Sequence, residues 1–214
     1  MKAYIFDFDG TLANTLPLCF DCFRRVFKEF DKRDITNDEI IGMFGPTEVD
    51  ILRKHLRTEQ KEQAVHEFLS RYERDHELYI QPDEEIIRVI RSLKDAGYRL
   101  AIVTGKGRKA FDLTFEKVGL ETFFDVTITG DEVRQPKPHP EGIERAMQVL
   151  GVEATETIYI GDSSADVEAG RRAGTEVAAV QWLPVSQTEK FDEQTVRVWH
   201  TLKDLEQFEA SRRE

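Results

Sequence analysis

Residues 4–15 read YIFDFDGTLANT, an apolar run that ends in two aspartates one residue apart. Strands alternate faces, so Asp7 and Asp9 point the same way at the tip of a strand from Tyr4 to Phe8. Two like charges side by side are costly. An ordinary turn at Asp9-Gly10-Thr11 is one reading, since Asp and Gly both suit turns. The rest of the chain decides between that and a built site.

After Thr11 the pattern changes from strand to helix and stays helical as far as Tyr79. Thr15 to Phe30 is amphipathic, with Leu16, Cys19, Phe20, Phe23, Val26, Phe27 and Phe30 on one stripe. Thr36 with Glu39 carries the signature of a capping box for a short helix. Thr47 to Leu56 and Gln63 to Tyr79 read as two more helices. The stretch IQPDEE then breaks the run and opens a helix that Gly97 terminates.

From there strands and helices alternate. RLAIVT, DVTIT, TIYIGD and TEVAAVQW read as strands, separated by helices over Gly107 to Val118, Pro140 to Leu150 and Ser164 to Ala173. This rhythm predicts an α/β fold, a mainly parallel sheet with helices on both faces. The first strand belongs to that sheet by composition, so the helical stretch is an insertion. The expected units are a core of residues 1–14 and 83–214 and a helical domain of residues 15–82. Double hinges fall near Ala13 to Thr15 and Ile80 to Asp83. After Pro184, TVRVW reads as an edge strand, followed by a helix from Leu202 to Phe208.

A chain of 214 residues with 40% hydrophobic and 33% charged residues suits a globular protein with a substantial core. The formal net charge of −11 disfavours a nucleic-acid surface, which needs clustered Lys and Arg. No membrane span or charged-then-apolar leader is evident, so the expected location is the cytoplasm, as a monomer or homodimer. Cys19 and Cys22 form a C-x-x-C, but they sit inside a helical stripe with no second ligand pair nearby, and read as packing. The five histidines are scattered without metal-site spacing.

In open α/β sheets the ligand crevice lies at the carboxyl ends of the strands. Those ends carry Asp7 and Asp9, then Thr104 and Gly105, then Asp162 with Asp166 one helical turn further. Between them, RQPKPHP braces Lys137 between Pro136 and Pro138. These are parts for phosphoryl transfer. A carboxylate approaching a phosphate meets repulsion of about 4 kcal/mol at about 4 Å with an effective dielectric near 20. Carboxylates such as Asp7, Asp162 and Asp166 make the hard oxygen site that Mg2+ prefers. Lys137 adds fixed charge, and the Thr104 hydroxyl with nearby backbone N–H groups can hold the phosphoryl oxygens. An ordinary Asp of pKa about 3.9 is protonated roughly once in a thousand at pH 7. Asp9, held beside Asp7 under a lid, is expected to have a raised pKa and to move protons while Asp7 attacks.

DFDGTLANT, VTGK, QPKPHP and IGDSSADVEAG together resemble, in order and spacing, the four motifs of the haloacid dehalogenase superfamily. The resemblance is to its phosphoglycolate phosphatase-like members, and it implies a Rossmann-like core, a helical cap inserted after the first motif, and Mg2+ dependence. By position it makes Asp7 the nucleophile and Asp9 the acid/base and a metal ligand through its carbonyl. Gly10, Thr104, Gly105 and Lys137 become phosphate partners and Asp162 a metal ligand, with Asp166 supporting. The dehalogenases that name the group lack the second aspartate of the first motif, so Asp9 argues for phosphate chemistry. Asn14 departs from the Asp found in many capped members, which bears on the hinge. MFGPTEVD resembles the specificity loop, making Gly45, Pro46, Thr47 and Glu48 candidates to meet the leaving group, although Pro46 and Thr47 also read as a plain helix start. Arg24, Arg25, Arg53 and Lys54 are candidates to meet a second anionic group.

The implied activity is hydrolysis of a small phosphorylated metabolite, with phosphoglycolate, pyrophosphate and small sugar phosphates all open. Two enzymatic alternatives stand beside it. A sugar phosphomutase uses the same aspartyl phosphate, although DGTL resembles the phosphatases more. A dinucleotide-binding oxidoreductase is suggested by TGKGRKA, where Gly105, Gly107 and Ala110 imitate part of a G-x-G-x-x-A fingerprint. A binding module without catalysis leaves the aspartates without a task.

Overall fold

The structure is a computed structural model that describes residues 1–212. In chain order its elements are β1 (Ala3–Phe6), α1 (Leu16–Asp31), α2 (Asn37–Ile41), α3 (Glu48–His55), α4 (Lys61–Tyr79) and α5 (Glu84–Asp95). Then come β2 (Arg99–Val103), α6 (Arg108–Lys117), β3 (Val126–Ile128), α7 (Glu141–Leu150), β4 (Thr157–Gly161), α8 (Ser164–Arg172), β5 (Glu176–Val180), β6 (Arg197–Trp199) and α9 (Leu202–Ala210). The strands form one sheet in the order β3-β2-β1-β4-β5-β6, and every neighbouring pair is parallel. The chain runs outward from β1 in one direction to β3 and from β4 in the other to β6. The switch point therefore lies between β1 and β4, where such sheets open a crevice.

Side-chain alternation explains how the sheet is covered. Tyr4, Phe6 and Phe8 pack into a cluster with Ile86, Val89 and Ile90 of α5, Phe111 of α6 and Leu205 of α9. Ala3 and Ile5 face the opposite layer, against Ile143, Ala146 and Met147 of α7 and Ala169 of α8. The period of two that buries β1 on both faces thus continues into Asp7 and Asp9, on the parity opposite to Phe8. Helices cover both faces, as the β-α-β rhythm requires.

Helices α1 to α4 are inserted between β1 and α5 and have their own aromatic packing, with the rings of Phe23 and Phe68 4.8 Å apart. Their apolar interior is continuous with the layer over α5 and α6. The expected capping box at Thr36 and Glu39 is present. Helix α4 begins at Lys61 rather than near Gln63, because its first turn is charged and carries no hydrophobic period to read. Strand β6 pairs with β5 at the sheet edge, with Ala178 opposite Arg197. Cys19 and Cys22 are buried, unbridged thiols, and burial pushes Cys22 up to about 12. Among the described residues no helix is long and apolar enough to cross a membrane.

Helix α4 docks on α6 through Thr114, whose hydroxyl meets Tyr72 Oη at 3.0 Å and His76 Nε2 at 3.2 Å. His76 is 1% exposed, and its Nδ1 has no hydrogen-bond partner among the described residues. Burial, reinforced by Lys117 and Lys106 and opposed only by Glu77, pushes His76 down to about 4. A histidine with a depressed folded pKa is protonated first in the unfolded chain, so it removes stability as pH falls from about 6.5 towards 4. In urea denaturation, wild type is expected to lose about 1–2 kcal/mol more stability than His76→Gln between pH 7 and 4.5. Parallel pH profiles for the two proteins would show that His76 does not contribute.

Candidate active site

Asp7 lies one residue beyond β1, where its N–H still donates to Ile160 O at 2.8 Å, and so it stands at the centre of the sheet's carboxyl edge. Asp162 lies one residue beyond the neighbouring strand β4, and Asp166 sits in the first turn of α8. All three carboxylates are buried, with oxygens within 4.8 Å of one another. Lys137 reaches in from the loop before α7, its Nζ 2.8 Å from Asp7 Oδ1 and 2.6 Å from Asp166 Oδ1. The first and third quoted motifs, far apart in sequence, meet there through one ion pair.

Asp166 is occupied by the protein itself. Its Oδ1 accepts from Lys137 and from Tyr159 Oη at 2.9 Å, and its Oδ2 accepts from the Ser163 N–H at 3.0 Å and from the Ser163 hydroxyl. A carboxylate has about four acceptor sites, so these donors use them all. Asp162 is steadied from the tail, with Oδ2 accepting from the Gln187 N–H at 2.6 Å and Oδ1 facing Gln187 Nε2 at 3.3 Å. Thr104 continues from β2, and its hydroxyl accepts the Lys106 N–H at 3.1 Å, which leaves its own proton to donate.

One ammonium against three buried carboxylates leaves the cluster short of positive charge. Burial pushes Asp7 up to about 7, with Lys137 pulling against it and Asp166 and Asp9 pushing with it. Burial, then Asp7 and Asp166, hold Asp162 well above the usual carboxylate range. Lys137 stays charged: burial lowers its pKa, but Asp166 and Asp7 more than reverse that. Hard oxygen donors in need of charge compensation suit a divalent cation, so the residues present fit a metal.

Asp9 faces the same cavity from the turn beyond β1. Its Oδ1 accepts from the Thr15 hydroxyl, and Lys106 Nζ lies 3.3 Å away. Glu48 of α3 meets the same ammonium at 3.1 Å, and its other oxygen accepts the Gly107 N–H at 2.9 Å. Gly45, Pro46 and Glu48 line the cavity with Gly105, whereas Thr47 caps α3 by accepting the Asp50 N–H. Arg24 bonds Asn37, Arg25 pairs with Asp21, Arg53 pairs with Glu62, and all three lie at the surface with Lys54. None of these four lines the cavity. The amide that a dinucleotide pyrophosphate would need at the start of α6 is already taken by Glu48.

Sequence reasoning quoted Lys106 in VTGK without giving it a task, and it passed over Tyr159 and Gln187. Lys106 has partners in the inserted helices, and Gln187 lies in an irregular tail, so no local period marks either one.

The profile of the haloacid dehalogenase-like hydrolase family matches residues 4–180. The chain belongs to this family. It is 32% identical over 186 residues to pyrophosphatase PpaX of Bacillus cereus, covering 85% of this chain and 84% of that one. A Bacteroides fragilis protein assigned by its name to the haloacid dehalogenase-like hydrolases superposes with a TM-score of 0.78 at 27% identity, over 95% of this chain and 99% of that one. CbbY from Rhodobacter sphaeroides, solved in complex with phosphate, has the same fold, with a TM-score of 0.80 at 22% identity over 96% of each chain. These two solved structures share the fold of this chain, whose own sheet gathers Asp7, Lys137 and Asp162 at its carboxyl edge.

Gly10 permits that gathering. Its φ is +81°, and a Cβ there would lie 2.3 Å from Asp162 Oδ2. Gly119 has a similar φ of +69° with nothing near its Cβ position. Gly10→Ala is expected to cost about 1–3 kcal/mol more than Gly119→Ala in chemical denaturation, the excess being the clash with Asp162. Equal costs would mean that the two aspartate-bearing loops do not need this approach.

Proposed function

We propose that this hydrolase is a cytoplasmic, Mg2+-dependent phosphatase of small phosphorylated metabolites, working through an aspartyl phosphate on Asp7. The observation that carries the reading is the convergence of Asp7, Lys137 and Asp162 at one end of the sheet, with Asp9 beside them. Asp7 and Asp162, with the Asp9 carbonyl, would hold the cation, and Asp166 would support them from behind by orienting Lys137. Bound there, Mg2+ supplies the charge that offsets repulsion between carboxylate and phosphate.

The chain's own groups account for the remaining steps. An Asp7 carboxylate oxygen forms a bond to phosphorus as the ester P–O bond breaks. Asp9 gives its proton to the departing oxygen, then takes one from the water that cleaves the acyl phosphate. Thr104 donates to a phosphoryl oxygen, the backbone N–H of Gly105 adds a further donor, and Lys137 neutralises charge beside the nucleophile; the Gly10 N–H is spent on Ala13 O at 2.9 Å. Residues 15–82 act as a cap whose α3 end, with Gly45, Pro46 and Glu48, covers the leaving group and excludes water. PpaX, by its name, is a pyrophosphatase, and its similarity to this chain supports phosphate hydrolysis.

Asp7→Asn is expected to reduce Mg2+-dependent phosphate release by about a thousandfold or more without unfolding the protein. EDTA should give the same loss in wild type, reversed by added Mg2+. Asp9→Asn should slow both chemical steps while still allowing some phosphorylation of Asp7, read by intact-protein mass. Full activity in Asp7→Asn would exclude the aspartyl-phosphate route.

A further inference from the structure

The cavity of about 240 Å³ over Asp7 has two dissimilar halves. One is the phosphate half, with Asp7, Thr104, Lys137 and the start of α8. The other, where a leaving group would sit, has an apolar wall of Leu16, Cys19, Ile41, Phe44 and Ile51. Among the described residues, the only cation lining this second half is Lys106.

Lys106 has no charge to spare for a substrate. Its ammonium is 3.3 Å from Asp9, 3.1 Å from Glu48 and 4.5 Å from the centre of the Tyr72 ring. It is 3% exposed, so water does not dilute these contacts. Burial lowers its pKa, but Asp9, Tyr72 and Glu48 more than reverse this, so it stays an ammonium. Glu48 in turn is pinned from its other oxygen by the Gly107 N–H. Glu48 engages this ammonium whatever the protonation of Asp9, so the pair offers a substrate anion no unshared positive charge. The surface arginines of the inserted helices point their charge at Asn37, Asp21 and Glu62 instead.

We infer that the enzyme selects phosphate esters whose leaving group is an uncharged small alcohol with an apolar flank, and that Glu48 sets this selectivity. A carboxylate or a second phosphate on the leaving group would meet the Glu48 carboxylate and a hydrocarbon wall, with no unshared cation to receive it. Discrimination by a like charge against the wrong substrate is as effective as an added attraction to the right one. The same lack of an unshared cation disfavours a mutase, whose intermediate carries a second phosphate. The inference rests on the phosphatase reading and narrows its substrate class.

The test compares kcat/KM for two esters of equal length, 2-hydroxyethyl phosphate and phosphoglycolate, which differ by CH2OH against a carboxylate. Isobutyl phosphate and inorganic pyrophosphate extend the series in the apolar and anionic directions. The uncharged pair is expected to exceed the anionic pair by about tenfold or more. Glu48→Gln keeps an acceptor for the Gly107 N–H while releasing Lys106, and should raise the ratio of phosphoglycolate to 2-hydroxyethyl phosphate by about tenfold. Phosphoglycolate or pyrophosphate turned over as well as the uncharged esters by wild type would overturn the inference, as would a ratio unmoved by Glu48→Gln. The wild-type comparison needs no variant, so a folding defect in Glu48→Gln leaves the test intact. Hydrolysis of p-nitrophenyl phosphate by wild type, and its loss in Asp7→Asn, reports separately on the phosphatase reading.

Discussion

Three carboxylates share one dry pocket, and the rest of the architecture answers to that expense. Asp7, Asp162 and Asp166 would repel one another out of the interior if nothing compensated them. The fold compensates by bringing Lys137 from a separate loop, by spending Tyr159 and Ser163 on Asp166, and by turning the tail back so that Gln187 steadies Asp162. What these donors leave unsatisfied is a need for positive charge, which a divalent cation would supply. On the proposed mechanism, an arrangement that is a liability for stability is also the source of reactivity.

A second cluster, less conspicuous in sequence, ties the inserted helices to the sheet. Lys106 belongs to the loop after β2, Asp9 to the loop after β1 and Glu48 to the first turn of α3. Because Glu48 also takes the Gly107 amide, the start of α3 is held at the start of α6. The Thr15 hydroxyl reaches Asp9 from the point where the chain enters α1. Asp9 is thus held by Thr15, where the chain enters α1, and by Lys106, which Glu48 of α3 shares, so Asp9 and the inserted helices are parts of one network.

Most of the sheet was legible because its signals are local. Alternation in Tyr4 to Phe8, the Thr36 capping box and the glycine after α7 are properties of neighbouring residues, and each corresponds to an observed element. The clustered aspartates were legible for a different reason: charges at the ends of apolar strands are anomalous wherever they occur. Lys106 escaped because a lysine at a helix start looks solvated, and only the tertiary fold brings Glu48 and Asp9 to it. Gln187 escaped because its function is performed largely by a backbone N–H, which every residue but proline possesses. The arginines of the inserted helices are candidates on charge alone, but they lie on the outward face of amphipathic helices whose inner face is apolar.

The tail shows how an irregular segment acquires a precise position. Trp182 Nε1 donates to Thr11 O at 2.7 Å, tying the segment after β5 to the loop after β1. Thr188 then bonds both ways around β4's end, its N–H to Asp162 O at 3.2 Å and its hydroxyl accepting the Ser164 N–H at 2.9 Å. With Gln187 on the Asp162 carboxylate, the segment is stitched to the two loops that carry Asp7 and Asp162. Buried backbone groups must find partners, and here the partners are the site's own loops. Stability of this tail and alignment of Asp162 are consequently one property: loosening the segment would free a carboxylate that the cluster needs in a single orientation.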